Sequence, residues 1–187
     1  MNKPLISILV CTVTGRVSTF LPKIIEELNK QATKEVEIIY VGDNRQRSVG
    51  KKRNDLLSMA QGEYVAFVDD DDFVSKDYIS ELLTGTSTGA DVVCFKVLYK
   101  EPNKKGKEVI YNGNFVRDKN KYNTFERLPN HIMLIRKELA LEVGFKEISF
   151  GEDKDFAMRL KPYITSQYII DKVLYFYYFS HKTSETQ

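Results

Sequence analysis

The sequence predicts an α/β fold in which helices flank a single Rossmann-like sheet that is mixed but mainly parallel. Strand-like and helix-like segments alternate over the first 95 residues, and this alternation is typical of parallel sheets covered on both faces. Polar residues follow three of these strands at their carboxyl ends, where open α/β sheets bind ligands. No repeat, low-complexity stretch or linker interrupts the 187 residues, so we expect one domain.

Hydrophobic spacing in the first half predicts four strands and three helices. The first helix is expected to begin near the capping candidates Ser18 and Thr19, with Pro22 in its first turn. Ser48 is expected to cap the second helix, and Gly42 is expected to end the second strand. The predicted strands cover 5–11, 36–41, 64–68 and 91–95, and the predicted helices cover about 19–28, 48–60 and 75–83.

The second half has a less regular pattern. Polar stretches at 100–107 and 112–123 predict exposed loops or a hairpin. A helix is expected to open at Gly151 and to end at Pro162. The pattern also predicts a short strand at 132–135, a short helix at 137–143 and one or two closing strands within 163–179.

Composition narrows the class of protein. Hydrophobic residues make up 42% and charged residues 29% of the chain, which fits a globular protein and not a disordered one. A net charge of +2 is too small to indicate nucleic-acid binding. The longest apolar run, 173–179, is far shorter than a membrane span. The N-terminus lacks the form of a signal peptide, and Cys11 and Cys94 lie in strand-like stretches, so we expect reduced thiols and a cytoplasmic protein.

Four consecutive aspartates, Asp69 to Asp72, directly follow the strand-like run Tyr64–Val68. Carboxylates so close together repel one another, and this repulsion raises the pKa of some of them unless a cation is bound. Ligands that offer only oxygen suit Mg²⁺ or Mn²⁺, which often bridge to a substrate phosphate. The alternative is a solvated acidic turn that caps the next helix. Thr12 after the first strand and Asp43 after the second would lie at the same edge of the sheet.

Several segments of the chain resemble family 2 glycosyltransferases of the nucleotide-diphospho-sugar transferase (GT-A) fold, and they stand in the same order as in that family. The specific signal is the combination of two motifs. The first is Gly-Glu-Tyr followed by a strand and Asp-x-Asp-Asp, and the second is a Glu-Asp pair further along the chain. It implies a nucleotide-binding half, 1–95, and an acceptor and catalytic half, 96–187. The matching segments are 6–10, 37–43, 52–54, 62–72 and 151–156.

The resemblance implies roles on the donor side of the site. Thr12 and Asp43 would line the base and ribose, and Arg53 would approach the base. The alternative for Arg53, on the polar side of its helix, is a solvated side chain. Asp69 and Asp71 form the Asp-x-Asp (DXD) motif, in which Asp71 would bind Mn²⁺ or Mg²⁺ and Asp69 would lie nearer the ribose while also approaching the metal. Asp70, between them, is a further candidate for donor binding.

The resemblance also implies roles on the acceptor side. Asp153 matches the catalytic base, with Glu152 beside it, although acids in a first helical turn also favour a helix electrostatically. His181 stands where some members place a histidine near the metal or diphosphate, and plain capping is the alternative. His131 is either near the acceptor or packed in a loop, and Arg159 is expected to form an ion pair or to lie on a solvated face of its helix.

These residues suit transfer of a sugar from a nucleoside diphosphate, with UDP favoured by the resemblance, to a hydroxyl acceptor such as a glycan or a lipid-linked sugar. A metal would neutralise the departing diphosphate, and one carboxylate would accept the acceptor's proton. A single base implies inversion, because a retaining double displacement would need a second carboxylate as nucleophile. The Gln-x-x-Arg-Trp signature of processive members is absent, and the chain contains no Trp.

Two alternatives remain from the sequence. The first is a catalytically silent domain that binds a sugar nucleotide or a glycan without turnover. The second is a haloacid-dehalogenase-type phosphatase, which also carries Asp-x-Asp after an apolar strand but usually on its first strand. Gly42–Lys51 is not a P-loop, because the glycine spacing is wrong and no Ser or Thr follows Gly50-Lys51.

Overall fold

The structure is a computed structural model that describes residues 3–179, so the prediction for His181 lies outside the described residues. The strands are β1 (Ile6–Val13), β2 (Val36–Asp43), β3 (Tyr64–Phe67), β4 (Phe73–Val74), β5 (Val92–Lys100), β6 (Lys107–Tyr111), β7 (Lys119–Asn120), β8 (Thr124–Arg127), β9 (Leu134–Arg136) and β10 (Gln167–Tyr178). The helices are α1 (Leu21–Gln31), α2 (Val49–Met59), α3 (Tyr78–Thr86), α4 (Lys137–Val143) and α5 (Glu152–Leu160).

One mixed sheet organises the molecule, as the sequence predicts. Its order is β2-β1-β3-β9-β5-β6-β8-β7, and β10 pairs with β5 and β4. β1 is parallel to both β2 and β3, and β10 is parallel to β5. β9 is antiparallel to both β3 and β5. β5 therefore runs parallel to β3, and β9, which is antiparallel to both, lies between them.

Helices cover both faces of the sheet. α1 and α3 pack together on one face, and α2, α4 and α5 form a group on the other. β1 and β3 are buried along their whole lengths, because each lies in the middle of the sheet under both helix layers. Cys11 and Cys94 are both buried in this core.

Two local predictions are wrong. The residue that precedes α1 is Phe20, which makes no side-chain cap, so neither Ser18 nor Thr19 caps this helix. A short 3₁₀ turn at Thr14–Arg16 leads into α1 instead. Gly42 does not end β2, which continues to Asp43. A Cβ at Gly42 would lie 2.6 Å from Cγ2 of Thr12 on β1, so glycine is needed there for close packing between strands.

Other boundaries agree with the sequence or extend it. The Ser48 side chain accepts a hydrogen bond from the Lys51 backbone N–H, which confirms it as the cap of α2. α4 spans the predicted residues, while β5 continues five residues beyond its predicted end at residue 95. β10 is one long strand, and the predicted loop at 112–123 contains the short strand β7. Among the helices of the described chain, none has the length and apolarity to cross a membrane.

Candidate active site

A cavity of about 1010 Å³ opens where β1 and β3 end and where α5 begins. The segments that follow the strands of the first half supply its acidic side, and the first turn of α5 supplies two further carboxylates. Strands of the second half form the opposite wall. The lining residues from these three sources include Asp69, Asp70, Asp71, Arg16 and Arg53; Glu152 and Asp153; and Tyr99, Tyr111, Phe125 and Tyr177.

The four aspartates point in different directions because they form a tight turn. The Asp72 backbone N–H donates to the Asp69 carbonyl at 3.2 Å and closes this turn. The side chains of Asp69 and Asp71 are 30% and 20% exposed, whereas that of Asp70 is 2% exposed. All three residues border the cavity, but only the two carboxylates of the Asp-x-Asp pair are exposed in it, because that of Asp70 is almost fully buried.

Arg16 neutralises part of this acidic cluster. Its Nη1 donates to Asp70 Oδ1 at 2.6 Å, and its Nη2 donates to Asp71 Oδ2 at 3.1 Å. Thr12 donates its hydroxyl to the other oxygen of Asp70 at 2.6 Å. Burial raises the pKa of Asp71 to about 6, and the nearby Asp69 charge adds to this rise while Arg16 opposes it. Burial also raises the pKa of Asp70, against the effects of Thr12 and Arg16.

Asp69 has a different electrostatic environment. Its Oδ1 lies 3.2 Å from Arg53 Nη2, and its Oδ2 lies 3.5 Å from His131 Nε2. Burial alone would raise the pKa of Asp69, but His131 and Arg53 together hold it below its usual range. Asp69 is therefore ionised at neutral pH. His131 is packed in a turn beside Phe67, and it also lines the cavity, on the side of Asp69.

Asp72 turns away from the cavity into the core. Its Oδ2 accepts from the Tyr175 hydroxyl at 2.7 Å, and its Oδ1 accepts from the Tyr178 N–H at 3.0 Å. The same Tyr175 hydroxyl accepts from the Asp69 N–H at 3.1 Å. Burial raises the pKa of Asp72 well above its usual range, and the Asp69 charge adds to this rise. Tyr175 on β10 thereby holds both ends of the aspartate turn.

Arg53 links the aspartate turn to α5. Its guanidinium packs against the rings of both Phe67 and Phe145, 5.7 and 5.5 Å from their centres. Its Nη1 lies 2.9 Å from Glu152 Oε1, and the residue is only 4% exposed. The alternative of a solvated Arg53 is wrong, because the side chain is buried between two charged partners and two aromatic rings.

The two acids at the start of α5 have separate environments. Glu152 is buried against Arg53. Asp153 is partly exposed and lines the cavity, and its Oδ1 accepts from the Lys154 N–H at 2.7 Å. Asp153 is the member of the pair that can meet a substrate. The predicted ion pair of Arg159 is confirmed, with Asp155 at 2.6 Å.

Thr12 and Asp43 are adjacent to the cavity without lining it. Asp43 accepts hydrogen bonds from the Arg47 N–H and Nε at 3.1 and 2.8 Å. Burial opposes ionisation of Asp43, yet the hydrogen bonds from Arg47 lower its pKa. Lys52 is fully buried, with its Nζ 3.1 Å from the Thr12 carbonyl and 4.0 Å from Asp43 Oδ1. These contacts fix the ends of β1 and β2 beside the aspartate turn.

The donor set suits a hard divalent cation with few protein ligands. Within residues 3–179, no three acids, histidines or cysteines are grouped as a complete metal site. Asp69 and Asp71 nevertheless both present carboxylate oxygens to the cavity. Mg²⁺ is typically bound by one or two carboxylates and completed by substrate phosphates and water. The residues present fit that arrangement.

Sequence reasoning missed Arg16 and Tyr175 as parts of the site. Arg16 follows β1 in the chain, and a cation at a strand end near an acidic cluster was the available signal. Tyr175 lies in an aromatic run that reads as sheet core, and nothing in its local sequence indicates a bond to Asp72. Its role depends on the pairing of β10 with β4 and β5.

A match to a family model shows which family the chain belongs to. The sequence model described as "Glycosyl transferase family 2" matches residues 21–144. The chain belongs to glycosyl transferase family 2. The matched range includes Asp43, Arg53 and the aspartate turn of this family 2 chain. Family membership removes the phosphatase alternative.

Among curated proteins, this family 2 chain is similar to EpsH of Bacillus subtilis (strain 168), which is named as a glycosyltransferase. The two are 27% identical over 117 residues, which cover 50% of this chain and 33% of EpsH. The chain therefore spans about a third of the length of this relative.

The solved structures support the predicted GT-A fold. Residues 1–349 of S. aureus TarS match with a TM-score of 0.72 and 21% identity, covering 93% of this chain and 60% of that one. TarS 1–349 in complex with UDP has the same TM-score and identity, covering 94% and 61%. Its complex with UDP-GlcNAc matches at 0.72 and 19%, covering 98% and 61%.

Proposed function

We propose that this domain transfers a sugar from a nucleoside-diphosphate donor, a UDP-sugar, to a hydroxyl acceptor with inversion of the anomeric carbon. The observation that carries the proposal is the convergence of Asp69, Asp71 and Asp153 on one cavity. These residues come from two distant segments of the chain, and a family 2 fold brings them together. The chain covers about 60% of TarS 1–349, so the activity of the whole protein is part of this proposal.

The donor is proposed to lie at the ends of β1, β2 and β3. Asp43 and Arg53 offer hydrogen-bond acceptors and donors on that side, although Asp43 is also bound by Arg47. TarS, the structural neighbour, forms complexes with UDP and UDP-GlcNAc, and this supports uridine as the base. Ionised Asp69 is proposed to accept a hydrogen bond from the ribose.

Asp71 and Asp69 are proposed to hold Mn²⁺ or Mg²⁺. When bound, such an ion supplies Lewis-acid stabilisation of the departing diphosphate. The chain's own contribution is to place the two carboxylates at the cavity and keep Asp69 ionised. Arg16 lies against Asp71, so it supplies positive charge on the same side of the cavity.

Asp153 is proposed to be the base. It lies at the start of α5, where the N-terminal dipole favours its ionised form. It would take the proton of the acceptor hydroxyl as that oxygen attacks the anomeric carbon. Glu152 is proposed to position α5 through Arg53, because its carboxylate faces inward. One base opposite the leaving group gives single displacement and inversion.

The test compares Asp153→Asn with Glu152→Gln in a transfer assay with UDP-sugars and Mn²⁺. Asp153→Asn should retain UDP binding in calorimetry, while transfer should fall by roughly a hundredfold or more, the usual scale for loss of a general base. Glu152→Gln should reduce transfer less. A fully active Asp153→Asn enzyme, or a retained anomer by NMR, would contradict the mechanism. UDP binding without any turnover would favour the silent binding domain.

A further inference from the structure

An exposed aromatic side chain stands at the rim of the cavity, directly before the acids of α5. Phe150 is 78% exposed, and it also lines the cavity. Among the described residues, it forms no ring stacking or cation–π pair. Single exposed hydrophobic residues are common on protein surfaces, but this ring borders the cavity, where a bound ligand can contact it.

The loop that carries Phe150 is anchored to the start of α2. The Gly50 N–H donates to the Ile148 carbonyl at 3.0 Å, and the Val49 N–H approaches the Ser149 hydroxyl at 3.3 Å. A Cβ on Gly50 would lie 1.8 Å from the Lys146 carbonyl oxygen. These contacts tether the loop backbone to α2, although residues 146–150 are exposed, so Phe150 is carried by a hydrogen-bonded segment.

The backbone then turns sharply at Gly151 into α5, the helix that carries the proposed base Asp153. Gly151 adopts φ +80°, a conformation that favours glycine, and its carbonyl accepts from the Asp155 N–H at 3.0 Å. Two residues, Gly151 and Glu152, separate Phe150 from Asp153 in the chain, and both Phe150 and Asp153 line the cavity. A group stacked on Phe150 would therefore lie on the side of the cavity where the proposed base removes a proton.

We propose that Phe150 is an acceptor-binding residue that stacks against the apolar face of a sugar ring. This inference rests on the proposed function and names the acceptor class as a saccharide. A pyranose has an apolar face of C–H groups and a rim of hydroxyls, so it needs an aromatic surface with hydrogen-bonding side chains nearby. Asn120, Asn130 and Lys154 line the same cavity and offer such groups. A purely aliphatic acceptor would displace water from these polar side chains without offering them hydrogen bonds in its place.

The experiment measures sugar binding by saturation-transfer NMR in the presence of UDP and Mn²⁺. The probes are methyl β-glucoside, methyl β-galactoside, methyl β-N-acetylglucosaminide and glucitol, an open-chain polyol without a ring face. Wild type should bind at least one glycoside and should not bind glucitol. Phe150→Ala should weaken the glycoside affinity by about two- to tenfold, the scale of one aromatic contact. Phe150→Tyr should restore it.

Ile148→Ala is the matched control. Ile148 lies on the same loop and is 44% exposed, but it does not line the cavity, so its truncation should leave glycoside affinity unchanged. UDP affinity, measured by calorimetry in every variant, separates this inference from the proposed function. If UDP fails to bind the wild type, the proposed function fails. If UDP binds but no glycoside does, or Phe150→Ala binds as the wild type does, Phe150 is not a saccharide platform.

Discussion

Replacing Arg53 with Met tests whether a buried charge bridge holds the two halves of the site together. Met has much of the aliphatic volume of Arg53 and can pack against Phe67 and Phe145, but it has no guanidinium. Asp69 and Glu152, 3.2 and 2.9 Å from that guanidinium, would lose a shared counter-charge. Glu152 cannot easily regain water, because it is 6% exposed, whereas Asp69 is 30% exposed and faces the cavity.

The expected cost follows from this burial. Removing one partner of a buried ion pair destabilises a protein by about 3–5 kcal/mol, because an uncompensated charge remains in the interior. Arg53 is 4% exposed, so no discount for solvent screening applies. In a chain of this size, each kcal/mol lowers the melting temperature by about 2–4 °C. We therefore expect Arg53→Met to lower the melting temperature by roughly 6–20 °C.

Urea unfolding followed by circular dichroism measures the free energy of unfolding. The control is Lys51→Met on the same helix, where a 44% exposed side chain pairs with Asp55 and Glu147 at 3.4 Å. Exposed pairs contribute about 0–1 kcal/mol, so this change should cost little. Adding Glu152→Gln to Arg53→Met should recover about 1 kcal/mol or more, because one of the two unpaired charges is then removed.

Two results would refute the reasoning. The first is an Arg53→Met protein as stable as Lys51→Met, which would mean that the two carboxylates are solvated or protonated without the arginine. The second is a double variant less stable than Arg53→Met alone, which would mean that Glu152 stabilises the fold by contacts other than its charge pairing.

Three further predictions concern the aspartates and the nucleotide. Asp71→Ala should abolish Mn²⁺-dependent UDP binding in calorimetry while the circular dichroism spectrum stays that of the wild type; undiminished binding would exclude Asp71 as a metal ligand. UDP should bind more tightly than ADP or GDP in competition assays, whereas equal affinities would argue against the roles of Asp43 and Arg53. Burial raises the pKa of Asp72, so the folded protein keeps a proton that the unfolded chain releases. The contribution of Asp72 to the free energy of unfolding is fully present below the ordinary carboxyl pKa. It is lost as the pH rises through the pKa that Asp72 has in the folded protein. Asp72→Asn should flatten this decline in urea unfolding at several pH values, and equal slopes in the two proteins would contradict it.

Local sequence patterns predicted most of the elements that surround the site. The run Tyr64–Val68 and the aspartates after it mark a buried strand and its end, because apolar spacing and charge are properties of neighbouring residues. Ser48 was found as a cap for the same reason, since a cap bonds to a backbone group three residues away. The Asp-x-Asp spacing also places two carboxylates on one side of a tight turn.

The misses involve partners distant in the chain. Gly42 looked like a strand breaker, but it is required by Thr12 on the neighbouring strand. The sequence left a solvated side chain open for Arg53, but Phe145 and Glu152, about a hundred residues later in the chain, pack around it. Tyr175 reads as sheet core, and its bond to Asp72 spans 103 residues.

The sequence by itself determined the alternation of strands and helices, the acidic strand end and the Glu-Asp pair at the start of a helix, because each depends on residues close together in the chain. Only the tertiary structure decided which of these groups meet in the cavity. It separated accessible Asp69 and Asp71 from buried Asp70, and it separated Asp153 from buried Glu152. Exposure and charge pairing depend on the segments that pack around a side chain, and those segments come from distant parts of the sequence.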